Sequence, residues 1–275
     1  MTSSSKPVLK LHEVRKAFDV KTKSFEVLKN ITLEANEGEF VCIVGPSGCG
    51  KSVLLYLVAG FIQKTSGDIL FNDHPITPPG TDRMMVFQDY VLFPWKSVYE
   101  NILFALSTSS LTEKDKKERT MKCMDLVGLT QFKDWHIHKL SGGMKQRVAI
   151  ARALVVNSKI LLMDEPFAAL DPQQRKYLRE NLLTIWEKTR KTVLFVTHSV
   201  GEALYLADKI YVMSARPSMV KKCYNVRMPR PRNSSHPEYI QLKEMIVSDM
   251  MQEFDQISQD QVQSELLNLL LKIDI

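Results

Sequence analysis

Eight residues constrain this chain more than any others: Gly45-Pro46-Ser47-Gly48-Cys49-Gly50-Lys51-Ser52. They satisfy the pattern G-x-x-x-x-G-K-[ST] and stand between Phe40-Val-Cys-Ile-Val44, which reads as a buried strand, and an apolar helical run from Lys51 to Phe61. Glycines at that spacing let successive backbone N–H groups turn inward around a phosphate, and the helix that follows adds its dipole. In this pattern Lys51 reaches the β- and γ-phosphates, Ser52 ligates Mg²⁺ and Val53 contributes a backbone N–H. Strand, glycine loop and helix in that order begin a parallel α/β sheet.

The rest of the chain is read around that start. Alternation in Val8–Val14 and Phe25–Ile31, joined by a polar turn at Lys21–Ser24, predicts an antiparallel β layer. Short strands are predicted at Asp68–Phe71 and Met84–Phe87. Helical patterns at Val98–Leu106, Glu113–Val127 and Gly143–Val156 predict an inserted helical subdomain over about 96–156. Strand signals return at Ile160–Met163, Val193–Val196 and Ile210–Met213, separated by helical stretches at Gln173–Lys188 and Val200–Ala207. This βαβ alternation predicts a mostly parallel sheet. Apolar positions at Tyr239, Leu242, Met245 and Ile246, then Leu266, Leu267 and Leu270, predict one or two amphipathic helices. The expected division is a nucleotide-binding domain over 8–232 and an acidic helical extension over 233–275.

Composition narrows the class. With 44% hydrophobic and 25% charged residues, collagen-like, disulfide-scaffold and wholly disordered chains are excluded. The net charge of +6 is uneven: from Asn233 onward eight acids face two lysines, leaving −6 there and +12 on the first 232 residues. That surplus suits phosphate-rich ligands, nucleic acid or an anionic membrane face and does not choose among them. The apolar stretch Val53–Ile62 is about half a bilayer span, and Met1–Lys10 carries no apolar run, so a cytoplasmic chain is expected. Cys42, Cys49, Cys123 and Cys223 form no CxxC pair, and free thiols are expected.

Two further segments carry chemistry. The run Ile160-Leu-Leu-Met-Asp164-Glu165 ends a buried strand in two acids at the carboxyl edge of the sheet. Alone, such a pair is usually a solvated strand end. Downstream of a phosphate loop, Asp164 suits Mg²⁺ and Glu165 suits a water molecule that it activates as general base. Leu140-Ser141-Gly142-Gly143-Met144-Lys145-Gln146-Arg147 precedes a helix that Ser141 can cap, its glycines leaving N–H groups open to a second phosphate contact.

In this order the segments resemble those of ATP-binding cassette (ABC) transporter ATPases, over roughly residues 8 to 230. The resemblance implies a P-loop NTPase with a RecA-like α/β core, an antiparallel β layer and an inserted helical subdomain, binding ATP with Mg²⁺. It implies that Gln88 is the Q-loop glutamine, linking Mg²⁺ and water to a transmembrane partner. It likewise makes Asp171, in Ala169-Leu170-Asp171, the D-loop aspartate, and His198, in Val196-Thr-His-Ser, the switch histidine at the γ-phosphate. Glu165, His198 and Gln88 are then the catalytic set, and Ser52, Gln88 and Asp164 the Mg²⁺ set. Ser141, Gly142, Gly143 and Gln146 would contact ATP held by a second copy. Phe18 is either an adenine-stacking aromatic or an ordinary core phenylalanine. Val53 stands where relatives often carry Thr, and Ile137 and Ser158 where many carry Pro, none of them a phosphate-reading or metal-reading side chain.

Within that family, Phe93-Pro94-Trp95 and Met228-Pro-Arg-Pro-Arg232 look most like the nitrate/sulfonate/taurine import ATPases. The implied partners are a second identical subunit, a separate integral membrane permease and, indirectly, a periplasmic or extracellular solute-binding protein. The implied location is peripheral, on the inner face of the membrane. The aromatics at Tyr90–Trp95 either edge a groove for a permease helix or pack the helical subdomain against the core. An ABC ATPase of another transport system, or a non-transport one acting on nucleic acid, is the alternative; the latter would need a long coiled-coil or clamp segment, for which the spacing from Gln88 to Ser141 leaves no room, and no nucleic-acid partner is expected.

Overall fold

The computed structural model describes residues 7–20, 23–76 and 78–251. Strand β1 (Pro7–Val20) pairs antiparallel with β2 (Lys23–Asn36), with Val20 opposite Lys23. Residues 21 and 22 of the expected turn lie outside the described residues. Strand β3 (Phe40–Val44) then opens a second sheet and runs through the glycine loop into α1 (Lys51–Ala59). Strands β4 (Ser66–Phe71) and β5 (His74–Pro75) return to the first sheet, whose order is β2-β1-β4-β5.

Strand β6 (Arg83–Val86) continues the second sheet and is followed by the helices α2 (Val98–Phe104), α3 (Glu113–Leu126) and α4 (Gly142–Val155). The chain then alternates β7 (Ile160–Asp164), α5 (Pro172–Thr189), β8 (Thr192–Thr197), α6 (Val200–Leu206) and β9 (Lys209–Met213). A final strand, β10 (Val220–Asn225), lies antiparallel on β9, and the sheet order is β10-β9-β3-β8-β7-β6. Strand β10 was not expected. Its side chains are mostly solvent-facing and include Lys221 and Lys222, the charges that natural edge strands carry against further pairing.

The parallel strands are buried on both faces, which is why each reads as an unbroken apolar run. Phe40, Cys42 and Val44 of β3 face a core shared with the helices, together with Leu161, Met163, Val193 and Phe195. Val41 and Ile43 face the other way, into a second core formed by α1 and the antiparallel sheet. A helix over 237–251, α7, seats Tyr239, Ile246 and Met250 in the first core. Residues 252–275, with Leu266, Leu267 and Leu270, lie outside the described residues. Among the described residues no helix is long and apolar enough to cross a membrane.

Strand direction positions the site. In register, Val44 lies beside Thr197, Asp164 beside Val196 and Val86 beside Met163. The loops bearing Gly45–Gly50, Gln88, Glu165 and His198 therefore all leave the sheet at one carboxyl edge, where ligands of open α/β sheets bind.

Candidate nucleotide site

The glycine loop is buried except at its tip, Ser47 and Gly48. Gly50 has φ +114°, and a Cβ there would come within 2.9 Å of Val27 Cγ1 and 3.0 Å of Leu28 Cδ2, so the turn needs a glycine twice over. Gly50 also precedes α1 with no side-chain cap, which leaves the positive end of the helix facing the loop. The Lys51 ammonium, 4% exposed, donates to the carbonyls of Gly45 at 3.1 Å and Pro46 at 2.9 Å. It also lies 3.6 Å from Glu165 Oε1. The loop thus concentrates positive charge and inward donors in one small space.

Ser52, one residue on, donates its hydroxyl to Asp164 Oδ1 at 2.9 Å. Asp164 is 3% exposed, and burial pushes its carboxyl above the usual range against the opposing Ser52 hydrogen bond. A hydroxyl and a carboxylate are hard oxygen donors of the kind Mg²⁺ takes, and a cation would relieve the burial of that charge. These two residues therefore fit the metal.

Glu165 has φ +41°, a left-handed conformation rare for a branched-chain-free but bulky side chain, held by its N–H on the Val196 carbonyl at 3.0 Å. The turn aims its carboxylate between Lys51 and the half-exposed His198, whose Nδ1 is 2.8 Å from Oε2. The backbone around His198 is tied down: Ser199 N–H donates to Thr197 Oγ1, and the Thr197 hydroxyl donates to buried Glu202 at 2.6 Å. Gln88 stands exposed on the loop after β6, at the same edge.

A second group forms away from Lys51. Ser141 caps α4 by accepting from Met144 N–H and is exposed. Gly142 and Gly143 are wedged in: a Cβ on Gly142 would lie 3.2 Å from both Leu170 Cδ2 and the Tyr90 hydroxyl, and Gly143 N–H donates to Gln174 Oε1 at 3.2 Å. Asp171 caps α5 through Gln173 N–H and Gln174 N–H. The segments after Gln88, at Ser141 and at Asp171 thus meet one another.

Gln146 lies apart from the exposed Ser141: it is 0% exposed, with neither amide atom partnered. Helical spacing is the reason, since Gly143, Gln146 and Ile150 share the inward stripe of α4. Phe18 is half-buried, packed on the second core and paired with Phe25, with Lys16 Nζ 4.5 Å from its ring centre.

Two residues were missed. Ser218 Oγ lies within hydrogen-bond reach of the Cys49 and Ser214 carbonyls, which share its one hydrogen, while its own backbone pairs with Val27 and Lys29, so the turn after β9 buttresses the glycine loop. Arg216, in that turn, lies over the Phe25 ring at 5.4 Å and 3.8 Å from where a Gly48 Cβ would be. No sequence signal marks either, because the partners are about 170 positions apart.

Fold and site together define a P-loop NTPase of the cassette type. Residues 28–168 match the family described as ABC transporter. An uncharacterised ABC transporter ATP-binding protein from Methanocaldococcus jannaschii is 43% identical over 89% of this chain and 92% of its own. The nitrate import ATP-binding protein NrtD of Synechocystis is 41% identical over 87% and 94%. The bicarbonate transport ATP-binding protein CmpD of Synechococcus elongatus is 41% identical over 86% and 88%. Among solved structures, the dimeric cassette MJ0796 bound to ADP and Pi is similar with a TM-score of 0.69 at 30% identity, covering 80% of this chain and all of that one. CbiO1 of Clostridium perfringens, part of the cbiONQ transporter complex, is similar with a TM-score of 0.74 at 29% identity, covering 87% and 94%. The chain belongs to the ABC transporter family and is an ABC ATPase, its ATP-binding subunit type.

Proposed function

We propose that two copies of this chain bind and hydrolyse ATP on the cytoplasmic face of a separate membrane permease and drive import of a small anion of the nitrate, bicarbonate or sulfonate kind. The observation that carries the reading is the convergence of Lys51, Ser52, Asp164, Glu165 and His198 at one sheet edge. The names of the relatives NrtD and CmpD support the solute class, and the dimeric MJ0796 supports the pairing.

In this reading Lys51 exchanges the Gly45 and Pro46 carbonyls for the β- and γ-phosphate oxygens, and backbone N–H groups from Gly45 to Val53 hold the remainder of the triphosphate. Ser52 and Asp164, with Gln88 from the neighbouring loop, would hold Mg²⁺, which neutralises charge developing on the β- and γ-phosphates. Glu165 accepts a proton from the attacking water, and His198 keeps that carboxylate aimed while facing the γ-phosphate. Ser141, Gly142 and Gly143 of the second copy close the site, and Asp171 lies at the same seam. A twofold pair then has two equivalent sites. Residues 8–232 form the nucleotide-binding domain with its helical part over 96–156, and 233–275 form an extension rooted by α7. A solute-binding protein outside the membrane delivers the anion to the permease.

The test is reconstitution with a candidate permease, in vesicles, with nitrate, bicarbonate and taurine supplied in turn with the matching binding protein. ATP-dependent uptake of one of them supports the reading; hydrolysis that responds to none of them, with a chemically different solute carried instead, overturns the solute class.

A further inference from the structure

The segment after β10 makes contacts that nucleotide binding does not explain. Arg232, 6% exposed, donates from Nη1 to the Leu204 carbonyl at 2.7 Å, from Nη2 to Val226 O and from Nε to Met228 O. Arg230 donates to the Leu206 carbonyl at 2.6 Å and pairs with Asp208 at 2.7 Å. From α7, the Tyr239 hydroxyl donates to the Gly201 carbonyl at 3.3 Å. Three carbonyls of α6 are therefore held by residues 230, 232 and 239.

Helix α6 has seven residues. A helix under two turns has no stability of its own in water, so its place is set by what grips it. Its last carbonyls lack helical partners, and guanidinium groups both satisfy them and complement the negative helix end. The other end of α6 is knotted to His198: Ser199 caps Glu202 N–H, and the Glu202 carboxylate accepts from Thr197, the residue before the histidine. The same short helix is thus gripped by the C-terminal arm at Gly201, Leu204 and Leu206 and tied at its start to Thr197 and Ser199, the residues on either side of the histidine that meets Glu165. Asp249 adds a tie from α7 to the edge strand, accepting from the Tyr224 hydroxyl.

We propose that Arg230, Arg232 and Tyr239 are positioning residues for ATP hydrolysis, holding α6 so that His198 stays against Glu165; this rests on the role given to His198 above. Misplacing a catalytic group by roughly 1 Å costs up to about 10²-fold in rate, so the arm acts on turnover and leaves nucleotide binding alone.

The test uses full-length chains. Tyr239→Phe removes one hydroxyl without changing the packing, and Arg232→Gln and Arg232→Lys graduate the loss at the buried clamp. Losing one hydrogen bond of ordinary strength lowers kcat by about 3- to 10-fold in Tyr239→Phe, with more loss in Arg232→Gln and part of it restored in Arg232→Lys. ATP affinity by calorimetry stays at the parent value. In single-turnover assays the same changes have no further effect in a His198→Ala background. Parental kcat in folded Tyr239→Phe, or the same fold-loss with and without His198, overturns the arm's role while leaving the site as described. Parental kcat in His198→Ala overturns the histidine's role and the arm's with it.

Discussion

His198 Nδ1 lies 2.8 Å from Glu165 Oε2, and the other oxygen of that carboxylate lies 3.6 Å from Lys51 Nζ. One carboxylate is therefore shared by two basic groups that come from different strands. The contact orients Glu165 from both sides, so a change at either base alters where its free lone pairs point.

Lys51 is the first consequence. Its ammonium is nearly buried and held by two carbonyls and Glu165, so Lys51→Ala removes the loop's own cation and the donor to the Gly45 and Pro46 carbonyls. Titration calorimetry on the folded variant is expected to show ATP affinity lower by about 10²-fold or more, the loss of charge-assisted hydrogen bonds to phosphate. Unchanged affinity contradicts the placement of the triphosphate.

Asp164 links stability to pH. Burial raises its native pKa, so the folded chain takes up this proton at a higher pH than the unfolded chain does. Stability then rises as pH falls from the native pKa toward the ordinary carboxylate value and is level below it. At neutral pH the buried charge is a cost that Asp164→Asn removes. Without Mg²⁺, that variant is expected to melt at a higher temperature at pH 7 and to lose this limb of the pH profile, while Mg²⁺-dependent hydrolysis falls. A lower melting temperature at pH 7 contradicts the sign.

The exposed Trp95 and the buried Asn101 separate contact from architecture. Asn101 is 0% exposed; its side-chain oxygen accepts from Phe93 N–H, and its NH₂ group shares its two hydrogens among the carbonyls of Ser97 at 2.9 Å, Phe93 at 3.1 Å and Lys96 at 3.3 Å, fixing the loop whose Trp95 is 69% exposed. Trp95→Ala is expected to keep fold and basal hydrolysis and to weaken transport through the permease. Asn101→Ala is expected to destabilise by about 1–3 kcal/mol, since it orphans buried backbone groups. Equal melting temperatures for Asn101→Ala and the parent, by calorimetric scanning, contradict this division.

What the sequence disclosed and what it hid have physical reasons. The parallel strands were legible because burial on both faces leaves no polar position in Phe40–Val44 or Ile160–Met163. Strand β10 was hidden because its lysines face solvent and it is a strand only by pairing with β9. Lys51 and Ser52 read as motif residues at the helix start after the glycine loop, and Asp164, Glu165 and His198 as residues at or just past the end of a buried strand. Gln146 stands in the motif beside Ser141, yet the period of α4 puts it on the buried stripe with Gly143 and Ile150. The grips of Ser218 on Cys49 and of Tyr239 on Gly201 join residues with no shared pattern, so only the fold reveals them.

In the proposed mechanism Glu165 is the base in a site completed by a second copy. The most direct test measures hydrolysis and assembly of Glu165→Gln with ATP and Mg²⁺ by labelled-phosphate release and light scattering. Turnover is expected to fall by about 10²- to 10⁴-fold with ATP still bound, in a stable dimer holding two nucleotides. Hydrolysis at the parental rate, or a chain that stays monomeric with ATP bound, contradicts the account.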